Sequence, residues 1–194
     1  MKFQLPIINF FRERWKLLVV LNLLFFSTVT VTLFIAGLTM QPSLANSDWE
    51  PSGSQLLPFG GWLGMMLGIF IFNLIVSSLV FISLPGFIFF PLSGALLLYR
   101  AILGGFLLYT FPLRIFLMAL PTVVLEGEAY VLAASGGTLV GMSWVKPVWT
   151  NRAQSSRLEA LRTMLKEFMR IYLTLAILLF AAAIAETVVI RLIT

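Results

Sequence analysis

The sequence contains no cysteine and no histidine. Without cysteine there are no disulfides and no thiolate nucleophiles, and without either residue there are no Cys/His zinc sites and no imidazole ligands for haem. Catalytic arrangements of the Ser-His-Asp or Cys-His kind are excluded as well. Since no other nucleophile or metal motif is recognisable, we expect a protein that is not an enzyme and has no cofactor.

Charge is also scarce. Only 11% of the 194 residues are charged, 60% are hydrophobic and the mean hydropathy is +1.01. Soluble domains carry about 25% charged residues. This composition indicates an integral membrane protein with one membrane domain, because no polar block is long enough to fold alone. The net charge of +5 then points to basic cytoplasmic loops and not to a nucleic-acid partner.

Long apolar runs predict an all-α, polytopic membrane helical bundle in the plasma membrane, with the lipid bilayer as its surroundings. Residues 17–40 carry no charge and predict the first span. A signal peptide is the competing interpretation, but this run exceeds the usual h-region of about 7–15 residues. Residues 1–16 predict a basic amphipathic segment on the membrane surface. Further spans are predicted at 62–84, 87–111 and 169–193, with a tight turn at Pro85 and Gly86.

Residues 112–145 do not divide evenly into spans. The first part, 112–125, is too short to cross about 30 Å of hydrocarbon, and Pro121 interrupts it. The second part, 129–145, is just long enough. We therefore expect a half-membrane, re-entrant helix around 112–127 followed by one crossing helix, which makes five crossings and a half-helix in all.

The distribution of charge predicts the topology. The basic amino-terminal segment and the basic loop after residue 145 should face the cytoplasm, and residues 41–58, which contain no lysine or arginine, should face outward. An even number of crossings must then separate the two basic segments. This arrangement leaves the amino terminus in the cytoplasm and the carboxyl terminus outside.

Residues 156–168 predict an amphipathic helix before the last span. Ser156 and Glu159 have the spacing of a capping box. A narrow apolar stripe follows at helical spacing, formed by Leu158, Leu161, Leu165 and Phe168. Two interpretations stay open: a helix on the surface of the cytoplasmic leaflet, or a docking helix for a soluble partner.

Small residues recur at helical spacing in two places. At the start of the second span, a glycine every fourth residue is typical of a close helix–helix contact, although glycine is common in membrane helices; these are Gly60, Gly64 and Gly68. On a helix through Glu126, at 100° per residue, one face carries Ala129, Ala133, Gly137 and Gly141. Glu126 is centred on that face, and Glu128 lies about 200° away.

Four charged residues lie within or beside apolar segments: Arg100, Glu126, Glu128 and Glu186. A charge at the membrane centre costs roughly 2.5–3.5 kcal/mol on insertion scales, so it normally faces the bundle interior and finds a partner. For Glu126 three interpretations compete. It is solvated at the outer interface, it is a buried partner of Arg100 that specifies helix packing, or it belongs to an ion or proton path.

Four segments of the sequence resemble the stage II sporulation protein M family of integral membrane proteins. IFIFNLIVSSL contains Asn73, and LLLYRAILGG contains Tyr99 and Gly104. LPTVVLEGEAYVLAASGG contains Pro121, Glu126 and Ala129, and AAAIAETVV contains Glu186. The chain departs from the family pattern where it has Thr122 and Val123 for His-Gly, Glu128 for proline and Arg100 for asparagine.

The resemblance implies a membrane-embedded scaffold or partner subunit of a multi-protein membrane or envelope assembly. The founding member belongs to a complex that recruits peptidoglycan-degrading enzymes during engulfment. The implied partners are other membrane or envelope proteins or further copies of the chain. The alternative is a permease-like or pore-forming transport subunit working with a cytoplasmic ATPase, with Glu126 and Arg100 lining its path. A dry contact between these two residues favours the scaffold, and a continuous polar cavity favours transport.

Overall fold

The computed structural model describes residues 6–40, 61–146 and 156–193. These residues form helices and no strand: α1 (Pro6–Thr39), α2 (Trp62–Ile71), a π-helix (Phe72–Ser83), α3 (Leu84–Ile88), α4 (Pro91–Tyr109), α5 (Leu113–Val145) and α6 (Arg157–Ile193). The predicted all-α fold is confirmed. The predicted outer loop, residues 41–58, lies outside the described residues. So does Gly60, the first member of the predicted glycine contact.

Within the described ranges, five helical segments are long and apolar enough to cross a membrane. The second of them, Trp62–Ile88, is a continuous unit of α2, the π-helix and α3, and we call it the second span. The others lie in α1, α4, α5 and α6. The protein is therefore a multi-pass membrane bundle, and five spans agree with the five predicted crossings.

The structure corrects the predicted half-membrane helix around 112–127. Leu113–Val145 is one α-helix of 33 residues, with Pro121 inside it. At 1.5 Å per residue this helix is about 50 Å long, which is enough for a single crossing. A proline removes only one backbone donor, and neighbouring helices in a membrane bundle compensate for the hydrogen bond that is lost.

The predicted turn between the second and third spans is also displaced. Pro85 and Gly86 lie inside α3, and the chain reverses at Phe89 and Phe90 instead. A Cβ on Gly86 would collide with Ser93 Oγ and lie 3.1 Å from the carbonyl carbon of Gly137. Gly86 therefore serves close packing between helices and not a turn.

Neither predicted surface segment is separate from its neighbouring span. Residues 6–16 belong to the same helix as the first span, and residues 157–168 to the same helix as the last one. The predicted cap of the latter is present, because the backbone N–H of Glu159 donates to Ser156 Oγ over 3.3 Å. Both long helices thus extend the spans beyond their apolar stretches.

Helix α5 is the centre of the bundle. It packs against α1, the π-helix, α3, α4 and α6. Every residue from 129 to 137 is buried, so this part of α5 is enclosed on all sides. The core around it contains Ile82 of the π-helix, Leu97 of α4 and Leu175 of α6.

The small-residue face of α5 lies against the second span. Its four members, Ala129, Ala133, Gly137 and Gly141, are all buried. A Cβ on Gly137 would lie 2.9 Å from the Ser83 carbonyl oxygen, and one on Gly141 would lie 3.0 Å from Phe90 Cβ. Only hydrogen at these positions permits so close an approach. The same contact is reinforced by Ser83 Oγ, which donates to the carbonyl of Ala133 over 3.0 Å.

Two members of the predicted glycine stripe, Gly64 and Gly68, lie in α2. Helix α2 packs against α6, and Gly64 is buried while Gly68 is half-buried.

The two basic segments of the chain lie at one end of the bundle. Glu167 of α6 is within electrostatic range of Arg14 of α1, so the amino-terminal parts of these helices are neighbours. At the opposite end, Tyr109 Oη donates to the carbonyl of Met40 over 3.1 Å. This arrangement agrees with an even number of crossings between the basic segments.

Candidate functional site: a polar network inside the bundle

The site begins with the π-helix of the second span. Asn73, Ser77 and Ser78 are buried in it. Ser78 Oγ donates to the carbonyl of Asn73 over 2.8 Å, five residues back. The Ser83 hydroxyl shares its single proton between the carbonyl of Ser78, 2.9 Å away and also five residues back, and the carbonyl of Ala133. The serine hydroxyls thus satisfy carbonyls along a helix whose repeat differs from the α-helical one. Such π-turns are frequent at functional sites.

A directional chain of hydrogen bonds connects three helices. Arg100 Nη2 donates to Tyr130 Oη over 3.1 Å, and Tyr130 Oη donates to Asn73 Oδ1 over 3.0 Å. Asn73 Nδ2 in turn donates to Glu126 Oε1 over 2.6 Å. Every link points from the cation toward the carboxylate, so each bond polarises the next. We call Arg100, Tyr130, Asn73 and Glu126 the polar network.

Helix geometry explains why these side chains meet. Glu126 and Tyr130 are four residues apart on α5 and therefore share a face. The same spacing relates Asn73 and Ser77 on the second span, where Ser77 Oγ lies 3.4 Å from Asn73 Oδ1. Arg100 lies at the midpoint of α4, Pro91–Tyr109, and its guanidinium carbon is 5.1 Å from the centre of the Tyr130 ring. A cation–π contact thus adds to the hydrogen bond.

Burial differs between the neutral and the charged members of the site. Tyr130 is 2% exposed and Asn73 is 7% exposed, whereas Arg100 and Glu126 are half-buried. Glu186 of α6 is half-buried too and interacts electrostatically with both of them. The neutral centre of the network is therefore packed into the bundle, while the charged groups lie at its margin.

The structure joins Arg100 and Glu126, although not by direct contact. Within the described residues, the hydrogen bond of Arg100 goes to Tyr130, and that of Glu126 comes from Asn73. Glu128 is half-buried, and its carboxylate makes no hydrogen bond to any described residue. Helical geometry predicts that Glu128 points away from Glu126, and Glu128 indeed takes no part in the polar network.

The sequence analysis missed Tyr130 of the polar network and the serines of the π-helix: Ser77, Ser78 and Ser83. The signal for Tyr130 was its position four residues after Glu126, on the face already identified for its small residues. Tyr172 was missed as well: its hydroxyl donates to the carbonyl of Leu74 and so connects α6 to the π-helix. No sequence feature of Leu74 pointed to that bond.

The predicted docking stripe does not form a single face. Leu158 is 73% exposed and Leu165 is 38% exposed, but Leu161 is half-buried. Phe168 is buried in the core, where its ring centre lies 4.9 Å from that of Phe87 and its ring fills the space beside Gly136. Phe168 is therefore a packing residue, because the inward face of α6 runs through Ala160 and Met164 to it.

The described ranges contain no group of three or more acidic residues placed to hold a metal ion. The hydrogen-bond donors and acceptors of the site bond to one another inside the bundle. Such an arrangement fixes the relative rotation of helices, because each bond requires a specific face of each helix.

Comparison with known proteins adds one match. The family model for SpoIIM, Stage II sporulation protein M, matches residues 19–190, a range that includes Asn73, Arg100, Glu126 and Glu186. No curated protein and no solved structure matches the chain. Because the match extends over most of the chain, including the whole polar network, the protein belongs to the stage II sporulation protein M family of multi-pass membrane proteins.

Proposed function

We propose that the protein is a non-enzymatic scaffold, a partner subunit that binds other membrane or envelope proteins into one assembly. The observation that carries this proposal is the continuous chain of hydrogen bonds from Arg100 through Tyr130 and Asn73 to Glu126. A connection of this kind holds α4, α5 and the second span in fixed rotation, and a rigid bundle presents constant outer surfaces to its partners.

The hydrogen bonds made by the neutral side chains of the polar network, Asn73 and Tyr130, support the same role. Asn73 uses both its amide nitrogen and its amide oxygen inside the network, and the Tyr130 hydroxyl both accepts and donates. Polar networks in which each member is satisfied rigidify a core and specify one arrangement of it. A transport path, in contrast, needs polar groups that exchange partners with a substrate or with water.

The proposal places the amino terminus in the cytoplasm. At one end of the bundle the described residues carry three acidic side chains, Glu13, Glu159 and Glu167, and eight basic ones: Arg12, Arg14, Lys16, Lys146, Arg157, Arg162, Lys166 and Arg170. The described residues at the other end carry Arg114 and Arg191. An excess of lysine and arginine is characteristic of the cytoplasmic side.

A transport subunit is the second candidate, and one observation favours it. Arg100, Glu126 and Glu186 are all half-buried and not fully enclosed, although they lie well inside their helices. Charged groups within transmembrane segments often mark an ion or proton pathway. If water reaches these side chains from one end of the bundle, they form the start of such a pathway.

One experiment separates the two candidates. The protein is purified in mild detergent from its native membrane, and co-purifying proteins are quantified by mass spectrometry for the wild type, for Glu126→Gln and for the matched control Glu128→Gln. A scaffold retains a fixed set of membrane or envelope proteins, and this set is diminished in Glu126→Gln but not in Glu128→Gln. Gel filtration confirms that each variant is monodisperse.

The same preparations are reconstituted into liposomes to measure ion and proton flux. A wild-type protein without stoichiometric partners, together with a flux that Glu126→Gln abolishes, would exclude the scaffold in favour of transport. Retention of partners without such a flux supports the proposal.

A further inference from the structure

The amino-terminal part of α6 extends beyond the membrane, as three landmarks indicate. On α1 the last charged residue before the apolar run is Lys16, and on α6 it is Arg170. Arg14 and Glu167 are electrostatic neighbours, so these positions lie at similar depth. The reversal at Phe89 and Phe90 is close to the same level, because the adjacent Phe87 ring contacts Phe168. The hydrocarbon boundary therefore lies near Arg170.

From that boundary α6 continues outward without interruption. Arg157–Ile193 is one helix, and Leu158 precedes Arg170 by three full turns. At 1.5 Å per residue, Leu158 lies about 18 Å outside the boundary. The headgroup layer on each side is only about 5–8 Å thick. Leu158 therefore projects into the aqueous phase, past the headgroups.

One side of this projecting segment is covered and the other is not. Ala160 and Met164 face inward and are buried. The opposite side combines apolar and basic side chains within about 100° of arc: Leu158, Arg162, Leu165, Lys166 and Met169. We call these five residues the outer face of α6. Leu158 is 73% exposed and Met169 is 65% exposed, and Arg162 and Lys166 are exposed as well.

Position argues against the bilayer as the cover of the outer part of this face. At the same rise per residue Arg162 lies about 12 Å outside the boundary, whereas Leu165 and Lys166 lie about 6–8 Å outside it, at the outer edge of the headgroup layer. A helix that lies on the membrane surface must bend where it leaves the span, and α6 is a single helix from Arg157 through the last span. Lipid tails reach the apolar side chains of the last span but not Leu158. A group of exposed apolar side chains with a charged rim, as Leu158 and Leu165 form beside Arg162 and Lys166, is characteristic of a protein-binding surface.

Charge identifies the chemistry of the partner. Between Arg157 and Arg170, α6 carries four basic residues, Arg157, Arg162, Lys166 and Arg170, and two acidic ones, Glu159 and Glu167, which gives +2. Both charged members of the outer face are basic. We propose that this face binds an acidic, amphipathic helical segment of a partner protein, with the partner's apolar side chains on Leu158 and Leu165 and its carboxylates on Arg162 and Lys166. This inference rests on the proposed scaffold function.

The test uses the full-length protein in nanodiscs of phosphatidylcholine, whose headgroups carry no net charge. The probe is a fluorescent helical peptide of about 20 residues, long enough to be helical, with a leucine stripe flanked by glutamate. A second peptide has the same leucines flanked by lysine, and a third has the first composition in scrambled order. Binding is measured by fluorescence anisotropy for the wild type, for Leu158→Ser/Leu165→Ser and for Arg162→Glu/Lys166→Glu.

A matched control variant, Leu113→Ser/Arg114→Glu, alters an exposed leucine and an exposed arginine at the opposite end of the bundle. We expect the acidic peptide to bind the wild type and the control alike. Binding should be about tenfold or more weaker for each outer-face variant, as a loss of about 1.4 kcal/mol implies. Salt at about 1 M should weaken it too, because the Debye length falls to about 3 Å.

Several results would overturn the inference. Equal binding of the glutamate and lysine peptides would show that the basic residues do not select the partner. An equal loss of binding in the control variant would show that the peptide does not bind specifically at the outer face of α6. A fluorophore at Leu158→Cys that is quenched by brominated lipid would show that this face lies in the bilayer instead. If the peptide fails to bind while partners still co-purify from native membranes, the scaffold function stands and only this docking face is excluded.

Discussion

Removal of one hydroxyl group tests the polar network most directly. In Tyr130→Phe the ring is kept, so no cavity forms in the fully packed middle of α5. Two hydrogen bonds are lost, one from Arg100 Nη2 and one to Asn73 Oδ1. Arg100 then loses its hydrogen-bond acceptor, and Asn73 Oδ1 retains only Ser77, which is 3.4 Å away.

The expected magnitude follows from the type and burial of these bonds. A hydrogen bond to a charged group contributes about 1.5–3 kcal/mol, whereas side-chain hydrogen bonds inside membrane proteins average about 0.6 kcal/mol. The bond from Arg100 belongs to the first kind, and the bond to Asn73, between two neutral side chains, belongs to the second. We therefore expect Tyr130→Phe to lower the free energy of unfolding by about 2 kcal/mol.

The assay is equilibrium unfolding in mixed micelles, in which the protein is titrated with sodium dodecyl sulfate and followed by tryptophan fluorescence. Tyr109→Phe is the control, because it makes the same chemical change in an exposed hydrogen bond, from Tyr109 Oη to the Met40 carbonyl. The control should lower the unfolding free energy by less than about 0.5 kcal/mol. Equal values for the two variants would refute the idea that the network contributes to bundle stability.

Three further predictions use matched variants. Glu126→Gln should lower the free energy of unfolding by about 1 kcal/mol or more, because a charged acceptor of the Asn73 amide becomes neutral, while Glu128→Gln should be near neutral; equal tolerance contradicts the network. Gly137→Ala should lower it by about 1–3 kcal/mol, since its methyl group meets the Ser83 backbone. Gly94→Ala, with open space around its Cβ, should not lower it, and a loss in both variants would contradict the packing argument. A cysteine replacing Arg157 should resist impermeant thiol reagents added outside intact cells, and ready labelling there would reverse the proposed orientation.

Helical geometry explains which features of α5 can be predicted from its own sequence. The face shared by Glu126, Ala133 and Gly137 follows from 100° per residue and needs no knowledge of neighbouring helices. All of its small members are buried in the structure. The same geometry separates Glu128 from Glu126. Properties of a single helix are therefore predictable from its own residues.

The predictions that were wrong concern positions at which contacts with neighbouring helices determine the local structure. Pro121 would end a helix in water, but within the bundle α5 continues through it. The Pro85-Gly86 pair is typical of a turn, yet Ser93 and Gly137 approach Gly86 so closely that its role is packing. Phe168 fits an exposed stripe by spacing alone, and it is the contact with Phe87 that makes it a core residue.

A single stripe of α5 combines the polar network with the small-residue contact. Glu126 and Tyr130 meet Asn73, and further along the same face Gly137 meets Ser83 and Gly141 meets Gly86. Both parts face the second span, which runs parallel to α5. The hydrogen bonds form only when α5 has one particular rotation about its axis. The glycines allow the two helices to approach closely only in that same orientation. Rotation of α5 by a single residue, about 100°, would break the hydrogen bonds and bring side chains into the close contact at once. The hydrogen-bonding residues of this stripe and its glycines therefore require the same packing of α5 against the second span.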